Sequence, residues 1–332
     1  MNSECFEAVI VGAGFGGIGA AIQLKRLGYE NFVILDREGD LGGTWHVNRY
    51  PGLAVDIPCT TYSYWFEPNP YWSRLFAPGA ELKRYAEHVA DKYHVRRHMR
   101  FNQIVECARW DEGTHVWQVV LADGQTLTTR LLITATGFLS QPRTPDIPGL
   151  DSFDGRVMHT AAWDDNYRFA GRRVGLIGTG ATAVQLIPEL AKHVADLTVY
   201  QRTAIHTVPK IDFAIPAWMQ RLFVRLPLVQ RLFRWMTDTF FELITVTAVY
   251  YRQFRRLGVD GGDVATISRF VSIRDPELRR KLTPDYNFGC KRPTWSNDYY
   301  SAFTKPHVTA HVVLVGDVLG IAFELSPRRE QP

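Results

Sequence analysis

The sequence predicts an α/β fold with two Rossmann-like dinucleotide-binding units and a helical insertion. Three observations carry that expectation. An apolar run, a glycine-rich turn, an amphipathic stretch and a second apolar run follow one another in FEAVIVGAGFGGIGAAIQLKRLGYENFVILDRE. The same layout returns in RRVGLIGTGATAVQLIPELAKHVADLTVYQRT. From about Ile215 to Arg256 the texture changes to long apolar and basic helices.

The elements follow in order. Val9, Ile10 and Val11 read as a strand buried on both faces. Ile18, Ile22 and Leu27 share one side of the next helix, and Gly28 supplies its stop. Residues 101–137 read as a β-rich excursion with a hairpin turn at Ala122, Asp123 and Gly124. Pro142, Pro145 and Pro148 give 138–152 the composition of a linker. After the second glycine-rich unit and the aromatic and arginine-rich helices, DPELRRKL is a short helix capped by Asp275. HVVLVGD, starting at His311, is a further strand. The expected organisation is 1–150 as a first nucleotide domain and 151–210 as a second. Residues 211–288 form the insertion, 289–310 return to the second domain, and 311–332 form an atypical tail.

Composition removes several classes. The 332 residues are 46% hydrophobic, enough for buried cores and against global disorder. A net charge of +4 is too small to argue for nucleic acid as a partner. Cys5, Cys59, Cys107 and Cys290 lie far apart with no CxxC, which disfavours a disulfide framework and a zinc site. His94 and His98 have the spacing of a metal pair, but KYHVRRHMR brings no carboxylate or cysteine, and a solvated basic face is the reading. The N-terminus lacks the basic-then-apolar pattern of a secretory signal, and no uncharged apolar run approaches a membrane span, so a cytoplasmic location is expected.

Gly12, Gly14 and Gly17 fit GxGxxG between a strand and a helix, with Gly16 inside the same turn. The first glycine makes the turn, the second lets the backbone approach a pyrophosphate, and the third lets helix and strand pack closely. The helix N-terminus then meets two negative charges with free N–H groups. The second turn is Gly178, Thr179, Gly180, Ala181, Thr182 and Ala183, with alanine in the third position. The difference lies at the end of each following strand. At the same interval from its turn, the first unit places Asp36 and the second Arg202. A carboxylate suits the ribose hydroxyls of FAD or NAD, and an arginine suits the 2′-phosphate of NADP. Two different dinucleotides follow, and hydride transfer from nicotinamide to flavin is the chemistry they share.

FDGRVMHTAAWD, Phe153 to Asp164, matches the fingerprint FxGxxxHxxxW followed by Pro or Asp. Around it stand GGTWHVNRYPG, ATGFLSQPRTPDIPG and GCKR. On these segments the chain, from about Phe6 to Val308, resembles the Baeyer–Villiger monooxygenases within the flavin-dependent monooxygenases. The resemblance implies bound FAD, NADPH as reductant, and O2. One oxygen atom would be inserted beside the carbonyl of a small hydrophobic ketone, or added to a heteroatom, through a flavin peroxide. N- or S-oxygenation without carbon insertion is one alternative, and an inactive fragment that keeps NADP binding is another. By motif, the Gly12 turn and Asp36 would hold the FAD adenosine half, with Thr44 and Trp45 lining the flavin and Asp56 and Tyr62 close to its ring. The Gly178 turn with Thr182 and Gln185 would hold the NADP pyrophosphate, and Arg202, Thr203 and Lys291 the 2′-phosphate. Arg292 matches the family's active-site arginine, and Asp56 would orient it and offset part of its charge in a site that excludes water. A permanently charged guanidinium favours an oxygen anion more dependably than a lysine, which desolvation can neutralise. For His159 the resemblance implies a part in relaying domain rotation, not acid–base chemistry.

Two expectations concern the rest of the chain. The helices of 215–256 either pack their apolar faces against one another and wall the substrate cavity, which the resemblance favours, or lie on a membrane surface as a peripheral contact. Beyond Val308 the resemblance fades where family members continue, so the FAD domain is expected to be incomplete at its C-terminus, with uncovered strand edges.

Overall fold

Ala8, Val9 and Ile10 are wholly buried, and a run with no polar face can occupy only the middle of a sheet covered on both sides. In the computed structural model, which describes residues 4–147, 149–245, 261–312 and 321–324, that run is strand β1 (Glu4–Val11). It lies in the first of two units, residues 1–48, 64–67 and 79–141. Helix α1 (Phe15–Arg26) follows and buries Gly17, Ile18, Ala21, Ile22 and Leu24. Leu27, expected on the same face, is 73% exposed. The helix ends one residue before it, and Gly28, at φ +88°, turns the chain so that the Tyr29 N–H closes on the Leu24 carbonyl.

Strand β2 (Phe32–Leu35) is buried throughout. A one-turn helix α2 (Thr44–Val47) and helix α3 (Gly79–Lys92) come next. Helix α3 buries Leu82, Tyr85, Ala86, Val89 and Ala90, the spacing of one helical face. Strands β3 (Met99–Arg100), β4 (Val105–Asp111), β5 (Val116–Leu121) and β6 (Thr126–Thr134) complete the sheet in the order β3-β2-β1-β6-β5-β4. The β-rich excursion is the antiparallel β4–β5–β6 set, and β6 returns parallel to β1. Its turn falls where expected: Gly124 has φ +85° and its N–H donates to the Leu121 carbonyl at 3.0 Å.

The histidines of KYHVRRHMR are not alike. His98 stacks on Phe32 with ring centroids 4.0 Å apart, and its Nδ1 lies 3.1 Å from the Phe32 carbonyl oxygen. Burial pushes its pKa down despite that hydrogen bond. It is a packed residue under β2, so a wholly solvated basic face is incorrect.

The second unit takes residues 49–63, 68–78 and 142–332. Its strands β7 (Val157–His159), β8 (Arg173–Ile177) and β9 (Asp196–Gln201) are joined by helix α4 (Ala181–Leu190) between β8 and β9. Strand β10 (Thr207–Val208) leads to helices α5 (Ala217–Arg225), α6 (Pro227–Thr245), α7 (Gly261–Ser272) and α8 (Pro276–Lys281). Strand β11 (Thr294–Trp295), helix α9 (Tyr299–Ala302), and strands β12 (Val308–Val312) and β13 (Ile321–Glu324) finish it. The main sheet runs β12-β9-β8-β13-β7, with β8, β9 and β12 parallel and β13 antiparallel to both its neighbours. Leu176, Leu186, Ile187, Leu197 and Val199 are fully buried between sheet and helices, closed by Tyr299, Tyr300 and Phe303. The expected strand from His311 is β12, which starts three residues earlier; 313–317 of that reading lie outside the described residues. Asp275 caps α8 as read, its Oδ1 accepting from the Glu277 N–H at 2.9 Å.

The insertion packs in part through aromatic rings: Phe241 of α6 meets Phe76 and Trp295 with centroids 6.3 and 5.6 Å apart. Phe223 and Phe233 join α5 to α6 with ring centroids 5.7 Å apart. The remaining inward positions of α6 are largely polar, and most of its large apolar side chains point outward: Leu228, Leu232, Trp235 and Leu243 are between 55% and 76% exposed. Residues 246–256 of the expected helices lie outside the described residues.

Candidate functional site

The first glycine-rich turn is built by contacts that leave no room for side chains. Gly12 takes φ +110°, and a Cβ there would collide with the Ala135 carbonyl; a Cβ on Gly17 would collide with the Gly12 carbonyl. Gly14 is the N-cap of α1, no side chain caps the helix, and no acidic residue lies in its first turn. Its terminal N–H groups and positive dipole end are thus arranged for an anion. At the end of β2, Asp36 is pinned by backbone donors: the Ala13 N–H reaches Oδ2 at 2.6 Å and the Glu38 N–H reaches Oδ1 at 2.9 Å. Each oxygen keeps a further lone pair, the acceptor that a ribose hydroxyl needs. Gly43, at φ +55°, sets α2 against this turn, where a Cβ would stand 3.0 Å from Gly14 Cα. Thr44 is exposed beside it, whereas Trp45 is 8% exposed and belongs to the core.

The second turn repeats the geometry. Gly178 has φ +113°, and α4 starts at Gly180 without a side-chain cap or an early carboxylate. Thr179 Oγ1 donates to the Thr203 carbonyl at 2.8 Å, tying the turn to the end of β9. Gln185 is not left facing the turn. Its Oε1 accepts from the Tyr50 hydroxyl at 3.0 Å, and its Nε2 donates to the Ala54 carbonyl at 2.9 Å. It fastens the 50–54 loop to α4. Burial raises the Tyr50 pKa, the Thr182 hydrogen bond opposes that, and the Asp56 charge adds to it.

Arg202 opens onto a cavity of about 440 Å³ together with Thr203, Arg280, Lys281, Asp285 and His311. Four groups that carry or can carry positive charge thus face one space, against a single carboxylate. The Gln201 amide holds the Lys281 carbonyl at 2.7 Å, which brings the end of α8 to the end of β9. His311 arrives on β12, stacked on Tyr200 at 5.9 Å. Lys291 does not line the cavity; its ammonium stands 4.6 Å from the Tyr286 ring centroid. Motif reading missed Arg280, Lys281 and His311. The one signal available was the basic last turn of DPELRRKL, which the helix dipole already accounts for.

Asp56 and Arg292, named together from the resemblance, form an ion pair with Nη2 2.7 Å from Oδ2. The expected dry surroundings are not found: the Arg292 side chain is 69% exposed, because it stands on the exposed 290–292 stretch. At that exposure the pair is worth no more than about 1 kcal/mol and acts by orientation. Tyr62 is half-buried in the same unit, its N–H donating to Pro58 O at 2.9 Å. Lys210 was overlooked in the sequence. Its Nζ lies 4.7 Å from the Phe76 ring centroid. Burial lowers its pKa while the charges of Asp212 and Asp56 work the other way. His159, the fingerprint histidine, caps a short turn by accepting from the Ala161 N–H through Nδ1 at 3.0 Å. Trp163 of the same motif is buried on Phe169.

A family described as pyridine nucleotide-disulphide oxidoreductase matches residues 9–231, from β1 into α6. The chain belongs to that family. Among curated proteins it is 41% identical over 320 residues to a Baeyer–Villiger monooxygenase of Streptomyces coelicolor, covering 96% of this chain and 60% of that relative. A Baeyer–Villiger monooxygenase of Pseudomonas aeruginosa is 39% identical, with 91% and 57% covered. Among solved structures, cyclohexanone monooxygenase from Rhodococcus sp. Phi1 bound to NADP+ superposes with a TM-score of 0.79 at 29% identity, covering 93% of this chain and 65% of that one. OTEMO in complex with FAD and NADP gives 0.78 at 30% identity, with 93% and 66% covered. The resemblance read from the motifs and the two-unit α/β fold are both borne out. The chain spans about 60% of the length of the curated relatives named here.

Proposed function

We propose that this chain carries the cofactor sites and the active-site ion pair of an FAD- and NADPH-dependent monooxygenase. Its reaction adds one atom of O2 to a hydrophobic ketone or a heteroatom. The observation that carries the reading is the charge asymmetry of two otherwise matching turns, Asp36 closing one and the Arg202 cavity the other. Both turns fit their groups. Gly12 and Gly17 let the backbone pack where any side chain would collide, the uncapped N-terminus of α1 suits phosphates, and Asp36 accepts from a ribose while repelling a 2′-phosphate. Arg202, with Thr203, Arg280 and Lys281, suits that phosphate and gives NADPH preference over NADH. Relatives of known structure are described with FAD and NADP bound, which supports the same assignment.

FAD, when bound, accepts hydride from NADPH and activates O2. The chain's own residues then act as follows. By the resemblance, Thr44 would line the flavin and Tyr62 would lie close to its ring. Arg292 presents a permanent cation to negative charge developing on oxygen. Asp56 holds that guanidinium in place through the 2.7 Å contact and moderates its charge. The units supplying these residues would act as the FAD domain and the NADP domain.

Replacing Arg292 with Ala tests the assignment, with NADPH consumption and oxygenated product followed together on paired ketone and thioether substrates. NADPH-driven flavin reduction is expected to persist while product disappears. Product formation at the original rate overturns the role of Arg292.

A further inference from the structure

Helix α6 turns Phe233, Phe241 and several polar side chains toward the protein and leaves most of its other large apolar side chains exposed. On the inner side Gln230 Nε2 donates to Asn69 O at 2.7 Å, Thr61 Oγ1 donates to Asp238 Oδ1 at 2.5 Å, and Arg234 Nη2 donates to Thr61 O at 3.4 Å. These bonds fix the helix's rotation, because turning it over would strip several polar groups of their partners. The outer side of the α5–α6 pair carries Trp218, Leu226, Leu228, Leu232, Trp235 and Met236, each more than half exposed. Six large apolar side chains this exposed on two neighbouring helices mark an interaction surface. The cations Arg221 and Arg225 are exposed on α5, and Glu242 is the one exposed carboxylate in 217–243.

We propose that the outer face of α5–α6 is a docking surface for an anionic lipid bilayer. Tryptophans and leucines beside arginines, on helices lying flat, are the pattern of an interfacial segment, with apolar side chains entering the headgroup boundary and guanidinium groups meeting lipid phosphates. No helix among the described residues is long and apolar enough to cross a membrane, so the contact is peripheral. A second copy of the chain is a poorer occupant. A two-fold interface would set Arg221 and Arg225 of one copy against the same cationic face of the other, with Glu242 the one exposed carboxylate of 217–243 to answer them. A lipid surface of negative charge complements them.

Flotation of the whole chain with phosphatidylglycerol vesicles, and in parallel with phosphatidylcholine vesicles, tests this. The expected result is co-flotation with the anionic vesicles, weakened by salt, together with a blue shift of tryptophan emission. Leu228→Asp combined with Trp235→Asp, at exposed positions, abolishes it. Arg221→Gln with Arg225→Gln, which leaves the apolar face untouched, weakens it roughly thirtyfold. Retained far-ultraviolet circular dichroism shows that each variant folds, and the arginine pair decides alone if the aspartates do not. No flotation with the anionic vesicles overturns the proposal, as does flotation that both variants leave unchanged. A wild type that stays off vesicles but dimerises, and becomes monomeric in the aspartate variant, assigns the face to a second copy and equally overturns it.

Discussion

Replacing Arg202 with Ala tests the cavity at the end of β9. The residue is exposed and lines the cavity together with Thr203, Arg280 and Lys281. A guanidinium–phosphate contact contributes about 1.5–3 kcal/mol, and exposure places this one in the lower half, at about 2 kcal/mol. NADPH binding should therefore weaken about thirtyfold. NADH lacks the 2′-phosphate and should bind the variant and the wild type alike. Arg280→Ala should cost about fivefold for NADPH. Lys281→Ala should cost less, because Glu277 already holds that ammonium at 3.0 Å. Calorimetric titration with each nucleotide, at two salt concentrations, gives both numbers, and the NADPH loss should shrink as salt rises. An Arg202→Ala variant that loses NADH and NADPH equally, or neither, refutes the reasoning, since only the phosphate distinguishes the two ligands.

Other consequences are as direct. Gly17→Ala places a methyl against the Gly12 carbonyl, so the turn must open. A stability loss of about 2–3 kcal/mol is expected by urea unfolding, together with loss of flavin uptake. Asp40 is held below the usual carboxylate range: burial opposes its ionisation, but the Lys83 hydrogen bond and charge and the Leu41 N–H outweigh it. Its stabilisation is therefore present above the unfolded-state pKa and lost as pH falls through the lower folded value. Asp40→Asn should cost below about 1 kcal/mol at pH 7, given its exposure, and progressively less as the medium is acidified, read from unfolding across that range. Lys210 has the opposite character. Its protonated form is penalised by burial, so wild-type stability should rise with pH on the alkaline side as the folded state sheds that proton before the unfolded chain does. Lys210→Met should lose that rise in thermal melts.

Much of the fold was legible because strand burial and helix spacing are local signals. The all-apolar β2, the face of α1 and the Asp275 cap all follow from neighbours within a few positions. The glycine turns were legible for a steric reason, since Gly12 and Gly17 sit where a side chain would meet backbone. Other features depend on distant partners. Arg280 and His311 reach the cavity only because α8 is held to β9 through Gln201, and because β12 pairs with β9. The basic last turn of α8 marks Arg280 as a cation, but no neighbour of either residue in the chain signals the cavity. Gln185 has the right position for a phosphate but bonds to Tyr50 and Ala54 of a loop far away in sequence. Periodicity also shows that α6 has an apolar face without showing which way it points, and Gln230, Thr237 and Asp238 decide that by bonding inward. The Asp56–Arg292 pair was found through a resemblance of short motifs, not through any local pattern.

Two different dinucleotides on one chain is the claim on which the rest depends, and one anaerobic titration reaches it. The purified chain, supplied with FAD and freed of excess, should show a bound-flavin absorbance spectrum. NADPH should bleach it at far lower concentration than NADH, with Arg202→Ala abolishing the difference. A chain that takes up no flavin, or whose flavin NADH and NADPH reduce equally well, contradicts it.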